Sequence, residues 1–251
     1  MSELRCQDFT VVQNGRTLFS NVTIDFPDQQ VTGLLGDRNS GILALLRALN
    51  RMLELDGPID VSGQVFYKGQ KVYSRKTKPQ EIRKMVVTIP SNPLPLPGSI
   101  YDHVATGLRI RRWSRPVAMA DRVEQALEAV DLWEELGPRL SEPAASVCPA
   151  QIPRLALASA LAVSPTHILW AEPGGGLDPV ETDLLDKALR RASSKCTVII
   201  ATNQVRQLAR LTDVTIFMHR GQVVEISPTA QVLERPANSA TERFITEHYN
   251  D

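Results

Sequence analysis

The hydrophobic positions near the N-terminus alternate with polar ones at the spacing of half-buried strands. Residues 4–12 and 17–26 are rich in Val, Phe and Thr and flank Asn14-Gly15, a dipeptide typical of a β-hairpin turn. Residues 63–67 form a further edge-strand pattern. These segments predict a small antiparallel sheet at the start of the chain.

Farther along, short apolar runs alternate with segments in which apolar residues recur every three or four positions. The runs predict buried strands at residues 30–35, 85–89, 167–171, 197–201, 214–218 and 223–226. The helical spacing predicts helices at residues 42–53, 79–84, 99–108, 117–130, 180–192, 204–211, 230–234 and 241–249. Alternation of this kind is typical of a parallel sheet covered by helices.

Four prolines interrupt the pattern between residues 90 and 97. They remove backbone donors and fix φ, so this segment is predicted to be a constrained, exposed loop. Helical patterns follow as far as residue 160. We therefore predict one α/β domain over residues 1–251, with a mixed sheet core, an N-terminal antiparallel β subdomain and a helical subdomain inserted at about residues 92–160.

The segment from Val31 to Asn50 combines a buried strand, a tight loop and an apolar helix. This is the layout of a P-loop, GxxxxGK[ST], in which loop amides hold phosphates, the lysine reaches the terminal phosphates and the hydroxyl binds magnesium. Gly36 and Gly41 have the required spacing, but Ile42 occupies the lysine position and Leu43 the hydroxyl position. The glycines alone would also fit an ordinary strand-to-helix turn.

The order of these parts resembles the ATP-binding subunit of ABC transporters over almost the whole chain. Within that family it is most similar to the phosphate-importer, PstB-like type. The matching segments are LLRALNRMLEL at 45–55, PLPLPGSIYDHVATGLRI at 93–110, RLALASALAVSP at 154–165, EPGGGLDP at 172–179 and RFITEHY at 243–249. The resemblance implies a P-loop NTPase-like ABC cassette whose family uses ATP and Mg²⁺ and works with a permease subunit, a second ATP-binding subunit, or both.

The resemblance also identifies the nucleotide-contacting positions, and this chain departs from the family at most of them. The degenerate P-loop comprises Gly36, Asp37, Arg38, Asn39, Ser40, Gly41, Ile42 and Leu43. Ser91 occupies the position of the glutamine that senses magnesium and water, Ala171 that of the Walker B aspartate, and Asn203 that of the switch histidine. The LSGGQ signature is matched by Val147, Cys148, Pro149, Ala150 and Gln151, and the adenine-stacking aromatic by Val11, Val12 and Gln13.

Besides Gln151 of the signature, two positions agree with the family: Glu172, its general base, and Asp178 of its D-loop. Glu172 fits either a residual catalytic base or a polar residue at a strand end. Arg38 fits either a substitute for the lysine or a solvent-facing partner of Asp37. The missing lysine bonds contribute roughly 1.5–3 kcal/mol each and the adenine stack about 0.5–1.5 kcal/mol. Because millimolar to micromolar binding amounts to about 4–8 kcal/mol, we expect neither ATP nor Mg²⁺ to bind normally.

Composition restricts the possible partners. Lys plus Arg and Asp plus Glu number 28 each, so no global basic field attracts nucleic acid or a membrane surface. The three cysteines match no disulfide or CxxC pattern, and the four histidines have no metal-ligand spacing. The longest apolar run has nine residues, whereas a spanning helix needs about 20. We expect a cytoplasmic protein without a metal site that reaches the inner face of the membrane only through a permease.

These observations leave three functional hypotheses. The first is a catalytically inactive ABC subunit with a structural or regulatory role in a phosphate-importer complex, for which residues 93–110 would supply permease docking. The second is an active ATPase in which Glu172 is the base and Arg38 or a partner residue supplies positive charge. The third is a soluble scaffold on an ABC fold that no longer belongs to a transporter.

Overall fold

The computed structural model describes residues 2–37, 39–111 and 116–248. The strands are β1 (Leu4–Gln13), β2 (Arg16–Asp25), β3 (Val31–Leu35), β4 (Ile59–Tyr67), β5 (Gln70–Lys71), β6 (Val86–Ile89), β7 (His167–Ala171), β8 (Thr197–Thr202), β9 (Val214–His219) and β10 (Gln222–Pro228). The helices are α1 (Ile42–Ala48), α2 (Pro79–Met85), α3 (Ile100–Ile110), α4 (Pro116–Glu128), α5 (Trp133–Leu136), α6 (Ile152–Ala162), α7 (Pro179–Ser193), α8 (Val205–Leu211), α9 (Thr229–Glu234) and α10 (Ser239–His248). Short 3-10 helices occupy Leu53–Asp56, Gly137–Arg139, Ala144–Ser146 and Pro149–Gln151.

The first sheet is antiparallel, with strand order β2-β1-β4-β5. Asn14 and Gly15 both have positive φ, 52° and 74°, as the predicted hairpin turn between β1 and β2 requires. The strand predicted at residues 63–67 is longer than expected, because β4 begins at Ile59 and pairs with β1 as far as Gln13. The predicted antiparallel sheet is therefore confirmed.

The second sheet has the order β10-β9-β3-β8-β7-β6 and is parallel except for the β9–β10 hairpin. Side chains alternate across it. In β7, Ile168 and Trp170 join the cluster formed with α3, α4, α6 and α7, whereas Leu169 belongs to the cluster shared with α1 and the N-terminal sheet. The helices between β6 and β7 thus share a core with the sheet.

Helix α1 is shorter than the helix predicted at residues 42–53. Arg51 adopts a positive φ of 64°, and its amide donates to the Ala48 carbonyl at 3.1 Å. The Met52 amide donates to the Arg47 carbonyl at 2.9 Å. These two bonds form a Schellman C-cap, which stops the helix although its apolar pattern continues.

Three further expectations concern the proline loop and the ends of two helices. The loop at residues 90–97 is irregular, as its prolines predict. Helix α3 begins after Ser99, whose hydroxyl accepts from the Asp102 amide at 3.0 Å while the Asp102 carboxylate accepts from the Ser99 amide at 3.1 Å. This capping box explains why the predicted start at residue 99 is correct. The last predicted helix ends at His248 within the described residues, and Tyr249 lies outside them.

The start of α7 gives a first prediction. The Asp178 carboxylate accepts from the amides of Val180 at 2.8 Å and Glu181 at 2.9 Å. Asp178→Ala removes this acceptor and should lower the free energy of unfolding by about 1 kcal/mol in urea titrations. Asp178→Asn, which keeps an oxygen acceptor, should cost less. Equal stability of the alanine variant and the unmodified protein would contradict the capping role.

A second prediction concerns the buried His167 at the start of β7. Its Nδ1 lies 2.9 Å from the Thr166 hydroxyl. Burial is the main cause that lowers the pKa of His167 to about 4, with Asp28 opposing that shift and Lys68 adding to it. The unfolded chain takes up this proton near pH 6.5 and the native protein only near pH 4, so stability should fall as the pH drops through that interval.

The His167 contribution should reach about 3 kcal/mol at the acid end of the interval. It is measured as the difference in pH dependence between urea unfolding of the unmodified protein and of His167→Phe. Phenylalanine keeps a ring of similar shape and does not titrate, so its curve should be flatter between about pH 6.5 and 4. Parallel curves would show that His167 is not protonated on unfolding.

Candidate functional site

The carboxyl ends of three parallel strands lie side by side at one edge of the second sheet. Leu35 of β3 pairs with Thr202 of β8, and Ala171 of β7 pairs with Ala201. The loops that follow therefore place residues 36–37 and 39–41, Glu172 and Asn203 at the same edge. Ser91 follows β6, which pairs with β7 up to Ile89 and Trp170. Sheet edges of this kind are the usual location of ligand sites in α/β proteins.

The two glycines of the P-loop segment, Gly36 and Gly41, are packed closely against neighbouring strands. A Cβ at Gly36 would lie 2.6 Å from the Met218 carbonyl oxygen in β9. Gly41 has φ +88°, and a Cβ there would lie 2.6 Å from the Leu18 carbonyl oxygen in β2. Both glycines are thus required by close packing against backbone, whether or not a phosphate is present.

Hydrogen bonds inside the loop involve groups that a P-loop directs at phosphates. The Asn39 amide donates to the Asp37 carboxylate at 2.7 Å, and the Ser40 amide donates to the Asp37 carbonyl at 3.1 Å. The Ser40 hydroxyl also donates to that carbonyl at 2.5 Å. Two amides are therefore satisfied within the loop, one of them by a carboxylate. Arg38 lies outside the described residues, and its predicted roles stay predictions.

The two positions that follow Gly41 carry apolar side chains in different surroundings. Ile42 is only 6% exposed and packs in the cluster between the two sheets, whereas Leu43 is 43% exposed. The first turn of α1 contains no acidic residue, and α1 has no side-chain N-cap bond. Of the described loop residues, 36–37 and 39–43, none is a cation. They supply neither a lysine ammonium nor a hydroxyl at the positions that MgATP requires.

Glu172 stands at the end of β7 in a left-handed conformation, with φ +51°. Its amide donates to the Ala201 carbonyl at 2.7 Å, and its carbonyl accepts from the Gly175 amide at 3.2 Å. Its exposed carboxylate has no polar partner among the described residues. The side chains of Ser91 and Asn203 are also exposed and have none in the described ranges. The structure thus brings the three candidate catalytic residues to one edge without connecting them.

The signature and D-loop positions form a second region with Ser91. Pro149–Gln151 is a 3-10 turn preceding α6, and the nearly buried Gln151 donates from Nε2 to the Glu135 carboxylate at 2.6 Å. Cys148 is exposed. Ser91, Pro149, Ala150 and Asp178 line one cleft of about 570 Å³ with the glycines 174–176. No described lining residue is Lys or Arg, so the cleft lacks a cation that would hold a phosphate.

Sequence reasoning did not find a second cavity, of about 490 Å³, between α2, the loop at residues 90–97, α3 and α6. Its walls are chiefly apolar, and Leu94 and Ile110 at its margin are 72% and 74% exposed. Arg83 donates to the Arg51 carbonyl at 2.5 Å, and Arg111 donates to the carbonyls of Val163 and Lys84. The segments that form this docking groove, as we name it, lie far apart in the chain, so no local pattern indicates it.

Within the described residues, no group of three or more His, Cys, Asp or Glu side chains could hold a metal ion. No helix in the same residues is long and apolar enough to cross a membrane.

The chain is similar to known proteins over most of its length. Residues 19–175 match the protein family described as ABC transporter. The chain is 34% identical to the phosphate import ATP-binding protein PstB of Thermotoga maritima over 243 residues, covering 97% of each chain. It is 32% identical to PstB of Pseudoalteromonas translucida over 246 residues, covering 98% of this chain and 90% of that protein.

A solved structure agrees on the fold. The structure of cbiO1 from Clostridium perfringens, part of the ABC transporter complex cbiONQ, superposes with a TM-score of 0.82 at 21% identity. The superposition covers 99% of this chain and 96% of cbiO1. The α/β cassette with its mixed sheet and antiparallel β part is therefore confirmed, and this chain belongs to the ABC transporter family as a homologue of its ATP-binding subunits.

Proposed function

We propose that this chain is a structural or regulatory subunit of a phosphate-importer complex and that it neither binds nor hydrolyses MgATP in the manner of its relatives. The similarity to PstB proteins, whose names describe phosphate import and ATP binding, supports the cargo and the setting. A permease subunit, a second ATP-binding subunit, or both are the partners that this setting requires. The subunit would lie in the cytoplasm and contact the membrane only through the permease.

One observation carries the inactive part of the proposal: Ile42 is buried in the apolar core at the position of the P-loop lysine. The Asp37 carboxylate on the same loop accepts the Asn39 amide and would repel a phosphate. Ala171, at the end of β7 and one strand beyond β8, adds no carboxylate for magnesium. The described residues at this edge therefore do not fit MgATP, and we assign no catalytic step to them.

Two of the positions that agree with the family make contacts that stabilise the fold. Asp178 caps α7, and Gln151 binds Glu135. Glu172 is exposed and without a polar partner among the described residues, so no neighbouring group there orients it as a base. These contacts support the inactive hypothesis over an unusual ATPase.

The docking groove supports attachment to a transporter rather than a free scaffold. In the family that the sequence resembles, residues 93–110 lie where a permease segment docks. Here Leu94, Leu96 and Ile110 from that range line the groove with exposed apolar surface, the kind that marks interaction sites. Arg83 and Arg111 form no ion pair with a described residue, and none of the described lining residues is acidic. The groove therefore suits an apolar helix that also carries a carboxylate.

The inactive hypothesis predicts weak or absent nucleotide binding. Isothermal titration with MgATP should give no saturable heat below millimolar concentration, and an assay for released phosphate should give no turnover. The Thermotoga maritima PstB protein, titrated under the same conditions, is the positive control. Micromolar binding with turnover would contradict the proposal. If turnover were found, its loss in Glu172→Gln would support the unusual ATPase instead.

Attachment to a transporter predicts that the protein sediments with membranes of its own cells and is released as a complex by detergent. Leu94→Asp places a charge at the groove margin and should reduce membrane retention about tenfold or more, since burying a leucine is worth about 1.5–3 kcal/mol. Val180→Asp is the matched control, because Val180 is similarly exposed, at 69%, but lies on α7 outside the groove. A protein that stays in the supernatant without detergent would instead be a free scaffold.

A further inference from the structure

Among the described residues, a single hydrogen bond holds the loop that forms one margin of the docking groove. Pro93, Pro95 and Pro97 have no amide to donate. The Leu96 amide donates to Nδ1 of His103 in α3 at 2.9 Å. This is the only hydrogen bond that residues 91–97 form within the described residues. His103 also lines the groove. Its side chain therefore connects the loop to helix α3 on the inner wall of the groove.

The bond depends on the protonation state of His103. A histidine nitrogen accepts a hydrogen bond only through its lone pair, so Nδ1 must be unprotonated and the ring proton must lie on Nε2. His103 is 5% exposed, and burial lowers its pKa below the ordinary histidine value. The accepting form is therefore populated at neutral pH, and added acid would replace the acceptor by a donor facing the Leu96 amide.

None of the described residues that line the groove supplies a carboxylate to hold a protonated ring. The charged groups of the described residues that share the groove with His103 are Arg83, Lys84 and Arg111. The elements around His103 also carry Asp102 and Arg109 on α3, Arg154 on α6, and Asp121, Arg122, Glu124 and Glu128 on α4. Asp102 is already bonded to Ser99 and Arg109. On α2, Glu81 is paired with Lys84 at 2.8 Å. Burial is thus the cause that favours the neutral ring.

We propose that His103 is a positioning residue for partner docking: its unprotonated Nδ1 fixes the loop at residues 91–97, and protonation of the ring releases the loop. The effect of this loop on partner docking rests on the proposed function. Leu94 and Leu96 are 72% and 43% exposed on this loop, so its position decides whether they offer one continuous apolar margin. Protonation of His103 would thus regulate how well the permease segment docks.

Two substitutions separate the hydrogen bond from the packing of His103. His103→Asn keeps an oxygen acceptor near the position of Nδ1 and does not titrate, whereas His103→Leu fills the site without an acceptor. The readout is the protection factor of the Leu96 amide in hydrogen exchange, which corrects for the intrinsic pH dependence of exchange. At about pH 7.5, above the ordinary histidine pKa, the unmodified protein and His103→Asn should protect this amide. His103→Leu should lower its protection roughly fivefold or more.

A pH profile completes the test. As the pH falls below about 6.5, protection of the Leu96 amide should decline in the unmodified protein and stay constant in His103→Asn. Equal protection in all three proteins, or equal decline in His103→Asn, would overturn the role of His103. Thermal unfolding of each variant shows whether it is folded, and His103→Asn keeps the test valid if the leucine variant is not.

Membrane retention separates this inference from the proposed function. If the role of His103 is correct, retention of the unmodified protein should decline with Leu96 protection as the pH falls, and retention of His103→Asn should not. If membrane retention changes neither with pH nor with His103→Asn, the proposed effect of His103 on partner docking is wrong. Absence of retention at any pH, with Leu96 protection as expected, would overturn the proposed transporter attachment while leaving the positioning of the loop by His103 intact.

Discussion

The close approach of two backbone carbonyls to Gly36 and Gly41 is the constraint on which the candidate site depends. Met218 in β9 and Leu18 in β2 leave no room for a Cβ at either glycine. Because β3, β9 and β2 are fixed by their own sheets, this packing holds both glycines in place. The shape of a nucleotide loop is thus a property of packing in this chain, and its chemistry can change independently.

That independence explains how apolar and acidic groups are accommodated at the loop. Ile42 gains burial in the cluster between the sheets, which stabilises the fold by about 1.5–3 kcal/mol relative to an exposed position. The Asp37 carboxylate gains the Asn39 amide. Each of these two groups, which would oppose phosphate binding, therefore contributes to local stability.

The fold could be predicted from the sequence because strand and helix periodicities are local. The predicted end of α1 was wrong because its C-cap depends on the left-handed conformation of Arg51. Arginine is not a residue type that indicates the end of a helix. The early start of β4 likewise depends on pairing with β1 rather than on its own composition. Matches to the family motif located the loop and strand-end positions, but not the role of Asp178 as a cap or the bond between Gln151 and Glu135.

Sequence reasoning proposed residues 93–110 for docking, but the cavity of the docking groove and the bond to its histidine were beyond it for a different physical reason. Leu96 and His103 are near neighbours in sequence, yet their bond forms only because the loop folds back onto α3, and prolines leave Leu96 as the amide that reaches the ring. Arg83 and Arg111 come from α2 and from the end of α3, and both are oriented by carbonyls of distant residues. The nucleotide edge and the groove thus differ in kind. The edge, at the carboxyl ends of β3, β7 and β8, buries Ile42 and exposes the polar side chains of Glu172 and Asn203. The groove instead leaves apolar surface and two guanidinium charges without acidic partners among the described residues, and surface of that kind favours a second molecule.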